Sequence, residues 1–148
     1  MPLHEIRHLL DPAVESVKPF QVAVYTGYLG AGIHATCTGE IPNAVGQILG
    51  PAAHLGWVAL LIVGPLATFV GIPIARRTPR GLWLQIAGDA GVASASLIYV
   101  VALSQTVYAG RASFAIWVVL ALAICAGALV VRNVRVLRAV ARVVRRLE

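Results

Sequence analysis

The chain has 148 residues, of which 59% are hydrophobic and 12% charged, and its mean hydropathy is +0.82. A soluble domain runs near 45–50% apolar and about 25% charged, so an ordinary cytosolic enzyme domain and a disordered chain are both excluded. The length suits one domain, or about four membrane spans of roughly 20 residues each. The composition predicts an all-α integral membrane protein, a four-helix bundle followed by a C-terminal basic amphipathic helix.

The net charge is +6, from twelve basic and six acidic residues. Lys18 is the one lysine, and eleven of the bases are arginine. Their positions point to phospholipid and not to nucleic acid. Cys37 and Cys125 both sit in apolar stretches and read as small packing residues, not as a disulfide or metal pair.

In chain order, residues 1–18 form a cytoplasmic N-terminal segment. It carries Glu5, Asp11 and Glu15 where a cleavable signal peptide would have a basic start and an apolar run, so none is expected. Residues 3–10 are a short amphipathic stretch, and Asp11-Pro12 reads as an N-cap followed by proline at the first helical position. Within that stretch, His4-Glu5-Ile6-Arg7-His8 matches the H-E-x-x-H pattern of zinc proteases. There is no third ligand and the helix ends one turn later, so the run reads as the surface of an interfacial helix and no metal is expected.

Charge-free windows place spans near 20–38, 56–75, 83–108 and 113–131 within a single membrane domain. The second and fourth are strongly apolar. The first is diluted by Gln21, Thr26, His34 and Thr36, and the third is interrupted by Asp89. The 39–55 connection, with Pro42 and Pro51, is apolar enough to lie in the interface or re-enter part way. Gly64-Pro65 predicts a kink in the second span and Pro73 its end. Trp57, Trp83 and Trp117 fall where interfacial anchors belong. Arg76, Arg77 and Arg80 follow the second span and six arginines follow the fourth, so both termini are expected in the cytoplasm.

Asp89 is the acid within an apolar span, where a central charge costs about 2.5–3.5 kcal/mol on insertion scales. It lies six residues past Trp83, roughly 9 Å by helical rise. That depth favours an ion pair with Arg80 or Arg132; a proton- or ion-coupled role is the alternative. A Gly-x-Gly-Asp protease site is excluded, because position 86 is Ile and there is no partner acid. Ala87, Gly91 and Ala95 form a small-residue ridge, and Gly27 and Ala31 lie in a similar patch on the first span. Such faces allow close helix contact, within one bundle or between subunits. The chain contains no nucleophile elbow, P-loop, Rossmann glycine pattern or C-x-x-C, so neither catalytic residues nor a cofactor is expected.

The tail, 132–148, carries the strongest local pattern. Arg132, Arg135, Arg138, Arg142, Arg145 and Arg146 fall within about 140° of a helical wheel, and valine and leucine fill the opposite arc. This basic amphipathic helix is expected to lie on anionic phospholipid head groups or to pair with a partner helix, at about 1 kcal/mol per arginine near an anionic surface.

Taken together, the small four-span layout, the stretches KPFQVAVYTGYLGAG and WVALLIVGPLATFVGIPI, and the arginine tail resemble the holin and holin-like membrane proteins of phages that infect actinobacteria. The Arg, Ala, Val and Gly enrichment fits a GC-rich genome. The resemblance implies a homo-oligomer in the host inner membrane that opens lesions, depolarising the membrane or releasing an endolysin. It carries no catalytic residues. A non-catalytic accessory protein that holds a partner at the membrane is the alternative. A small channel or transporter is a third, although four-span multidrug transporters use an acid in their first span and this one has none.

Overall fold

The computed structural model describes residues 18–39, 43–107 and 109–145. The 3–10 stretch with its His4-Glu5-Ile6-Arg7-His8 run, the Asp11-Pro12 cap and Arg146 lie outside the described residues. Those that are described form helices and no strand: α1 (Lys18–Thr38), α2 (Asn43–Ile48), α3 (Pro51–Ala75), α4 (Arg80–Ser104) and α5 (Ser113–Arg145). Three of them, α3, α4 and α5, are long and apolar enough to cross a membrane. This is a membrane protein by the character of its helices. At 21 residues α1 has the length to cross, but its polar side chains leave it less apolar.

Local signals explain the helix ends. Gly39 closes α1 in the left-handed region, φ +67°, where a residue without Cβ is unstrained, and its N–H reaches the Ala35 carbonyl at 3.1 Å. Pro51 opens α3 at the first helical position, where its missing N–H costs nothing. Pro65 and Pro73 both lie inside α3, which continues through them to Ala75. The turn to α4 is tight, with Arg77 and Thr78 N–H groups both bonded to the Ile74 carbonyl at 2.9 Å. The expected tail is not a separate element: α5 runs unbroken for 33 residues, roughly 50 Å.

The surface is inverted relative to a soluble fold, apolar where a soluble one is polar, around an interior that holds polar side chains beside its apolar core. Gln21, Thr68, Asp89, Ser96 and Asn133 are buried, while Val63, Leu55, Phe114 and other large apolar side chains face outward. Hydrocarbon as the surrounding solvent accounts for that inversion. Trp83 and Trp117 are 60% and 68% exposed, whereas Trp57 is turned inward and only 6% exposed. Its indole N–H needs an acceptor once buried and finds the Ala95 carbonyl at 3.0 Å, with the ring stacked on Tyr99.

Helix α4 is the centre of the assembly, flanked by α3 on one side and α5 on the other, with α1 laid along α3. The 43–48 segment, part of the expected 39–55 connection, is helix α2, and it packs against α4 and α3. Its Val45 is wholly buried with Trp57, Leu61 and Ala102. Close approach of α3 and α4 depends on glycine. A Cβ on Gly88 would collide with the Thr68 hydroxyl and stand 2.5 Å from the Gly64 carbonyl oxygen, and one on Gly64 would lie 3.2 Å from Val92. Around Gly27, by contrast, an added Cβ meets nothing within 4 Å.

The contrast sets an expectation. Gly88→Val should destabilise the detergent-solubilised protein by at least the roughly 1–3 kcal/mol of an overpacked core. Gly27→Ala, in open space within a helix, should be neutral or stabilising by up to about 1 kcal/mol. Thermal or denaturant unfolding followed by circular dichroism measures both.

Candidate functional site

The buried carboxylate of Asp89, 0% exposed, is the point at which all four long helices meet. Its Oδ1 accepts hydrogen bonds from Tyr25 Oη at 2.7 Å, Gln21 Nε2 at 3.2 Å and Thr68 Oγ1 at 3.2 Å. Its Oδ2 accepts one from Asn133 Nδ2 at 3.2 Å. Gln21 and Tyr25 are four residues apart and so share one face of α1. Thr68 comes from α3 and Asn133 from α5. An ionised carboxylate is acceptor-only, with about four lone-pair sites. Four donors from three other helices satisfy it, which is the condition for holding a charge away from water.

Gly88 and Thr68 explain each other. The hydroxyl passes where a side chain at position 88 would stand, so the glycine clears its path to the carboxylate. A second polar contact lies seven residues, about two turns, farther along α4. Ser96 Oγ donates to the Val92 carbonyl at 2.8 Å, which leaves Tyr28 Oη to donate to Ser96 at 2.7 Å. His54 stands beyond, with its ring centroid 6.2 Å from that of Trp57 and its buried Nδ1 without a hydrogen-bond partner among the described residues.

The residues singled out in the sequence are distributed as follows. Arg132 is half-buried, adjoins Asn133 and acts electrostatically on Asp89. Arg80, the first residue of α4, is exposed and nine residues from Asp89, roughly 13 Å by helical rise. The hydrogen bonds named above all come from neutral side chains. Ala95 is buried, Gly91 is half-buried 3.5 Å (as Cβ) from Gly64, and Ala87 faces outward. Gly27 and Ala31 line a cavity and not a helix contact. Arg135, Arg138 and Arg142 are exposed along α5, and Arg145 is its last residue. Val134, Val136, Leu137 and Val140, on the opposite arc, are half-buried. Cys37 and Cys125 are free and exposed.

Two adjoining cavities separate α1 from α5. One, of about 460 Å³, is lined by Gly27, Tyr28, Trp57, Ser96, Tyr99 and Val119, among others. The other, of about 320 Å³, is lined by Gln21, Tyr25, Cys125, Ala128 and Arg132, among others. Val24 and Leu122 line both. Helix α1 therefore meets the bundle through α3 and through hydrogen bonds to α4, and stands off from α5.

Sequence reasoning read Gln21 only as diluting the first span and gave no site role to Tyr25, Thr68 or Asn133. The available signal was the spacing of Gln21, Tyr25 and Tyr28, at i, i+4 and i+7, which places the three on one face of the helix. Asn133 was hidden by the arginines around it.

Removal of one donor should cost what a hydrogen bond between helices contributes in lipid. Tyr25→Phe is expected to lose about 0.6–1.7 kcal/mol of stability. In an Asp89→Ala background the same change should cost almost nothing, so the double-mutant cycle should return a coupling energy near the single-mutant loss. Comparison of the chain with protein-family models, with curated proteins and with solved structures finds no match.

Proposed function

We propose that the protein is a holin-like, four-span protein of a bacterial (host) inner membrane, with both termini in the cytoplasm, which oligomerises and permeabilises that membrane. One observation carries the reading: α1 is attached through polar side chains and one flank, with cavities where it faces α5. Hydrogen bonds between helices in lipid average well under 2 kcal/mol, because the separated helices find other partners. When α1 swings away, Gln21, Tyr25 and Tyr28 lose their partners together, and Asp89 is left with Thr68 and Asn133 alone. Unpaired polar groups are expensive in hydrocarbon, so the same donors and acceptors pair with those of neighbouring copies. A ring of such faces presents polar groups to an aqueous lesion. The α3–α4 unit, held by backbone contacts at Gly88 and Gly64, stays intact through the exchange.

Orientation follows from the arginines. Arg76, Arg77 and Arg80 cluster at one end of the bundle, which the positive-inside rule assigns to the cytoplasm. Lys18 begins α1 and Gln21 meets Asp89 near that same end, which supports α1 as the first of four spans. Exposed Arg135, Arg138 and Arg142 are then suited to anionic phospholipid head groups, and the C-terminal part of α5 acts as an anchor that fixes orientation.

A second reading is favoured by the carboxylate itself. Asp89 is buried among titratable and hydroxyl groups beside a cavity, an arrangement that ion- or proton-coupled proteins also use.

Induction in a bacterial host, with membrane potential and turbidity recorded together, tests the proposal. Sudden depolarisation, followed by clearing only when an endolysin is co-expressed, is the expected result. Continued growth with an intact potential, despite verified insertion, overturns it and leaves a partner-holding accessory role. Tyr25→Phe and Tyr28→Phe should advance the onset of depolarisation, since each weakens the attachment of α1. Asp89→Asn should shift timing or abundance without abolishing the event. Complete loss of ion flux in that variant at wild-type abundance would favour the coupled reading instead.

A further inference from the structure

We infer that the groove between α1 and α5 binds one anionic glycerophospholipid, with its phosphate at Arg132 and one acyl chain lying along the groove. The two adjoining cavities, about 320 and 460 Å³, each have the volume of a small-molecule site, about 300–1,000 Å³. They follow one another along α5, from Arg132 past Ala128 and Cys125 to Leu122, and on to Val119. Arg132 and Val119 are thirteen residues apart, roughly 20 Å of helical rise. One leaflet of a bilayer with a hydrocarbon core of about 30 Å offers roughly 15 Å. The groove is therefore long enough for the chain depth of a single leaflet.

Polarity along the groove matches a phospholipid read from head to tail. Phe20, Val24, Leu122, Ala128 and Leu129 make its walls apolar, and a cation, Arg132, stands at one end. Charge around that end selects the head group. Arg135, Arg138 and Arg142 continue from Arg132 at spacings of three and four, all exposed on the same helix. On α3 and α4, Val70, Trp83 and Leu84 are exposed instead. The groove thus opens beside a row of arginines on α5, at the end of the bundle where Arg76, Arg77 and Arg80 also stand, and an anionic head group is drawn to that end. Basic pockets between spans on the cytoplasmic side are suited to such head groups.

This site rests on the membrane-embedded reading above, but not on lesion formation. The test uses the full chain in mild detergent, delipidated and then titrated with phosphatidylglycerol or with phosphatidylcholine of the same acyl chains, and read by native mass spectrometry. Wild type should retain one phosphatidylglycerol per chain, with a preference over phosphatidylcholine of about tenfold or more. Arg132→Gln should abolish the preference while some chain-dependent retention persists. Leu122→Trp, at the junction of the cavities, should abolish retention of both lipids, and Ala128→Trp on the exposed wall should do the same if Leu122→Trp fails to fold. Equal retention of the two lipids by wild type overturns the assignment. So does unchanged retention in tryptophan variants of native helicity, or a dimer that those variants dissociate. A protein that retains phosphatidylglycerol yet leaves the membrane potential intact keeps this site and loses the lesion reading; the reverse result separates them the other way.

Discussion

The arrangement of the helices depends on how one carboxylate is satisfied. Asp89 lies in the apolar interior with no exposed surface, where an unpaired charge would be prohibitive. Its four neutral donors are drawn from α1, α3 and α5. No pair of helices can satisfy it alone, so the network specifies which helices are neighbours and in which register. Apolar contact between these spans is non-directional and, in lipid, offers little net drive to associate. Hydrogen bonds supply the direction, and glycine supplies the approach: without Gly88 the Thr68 hydroxyl could not reach the carboxylate.

The same network fixes relative depth. Asn133 and Asp89 are bonded and therefore level, and Asn133 lies twenty residues into α5, roughly 30 Å from its start. That is about the thickness of a hydrocarbon core. The remaining turns of α5 run beside the first turns of α4, which explains why Val134, Leu137 and Val140 are half-buried while the arginines between them are exposed. The amphipathic pattern of the tail thus has an apolar partner within the same molecule for part of its length.

Helix class and approximate limits were legible in the sequence, because charge-free windows and arginine runs depend on residue type alone. The membrane-crossing character of α3, α4 and α5 follows from the same arithmetic. Asp89 could be picked out as costly, but its partners could not. Gln21 and Thr68 lie 68 and 21 residues away and are common residue types, and only the fold shows that they converge. Trp57 lies near a helix start, where an interfacial anchor is expected; its burial depends on α2 folding over the end of the bundle, and six residues with Val45 at the centre carry no strong periodicity. Continuation of α5 beyond Arg132 was readable as a helix, while the packing of its apolar arc beside α4 depends on where Asp89 sits.

Chain order gives the carboxylate network a consequence for biogenesis. Gln21, Tyr25 and Thr68 are all made before Asp89, and Asn133 after it. When α4 leaves the ribosome, three of the four donors are already present in the helices ahead of it. The acid can therefore partition into the membrane against waiting partners and need not cross the apolar phase unaccompanied. The last helix then closes the remaining oxygen. Assembly in this order is vectorial, and a chain lacking its first helix would have to insert the same acid with Thr68 as its one earlier-made donor.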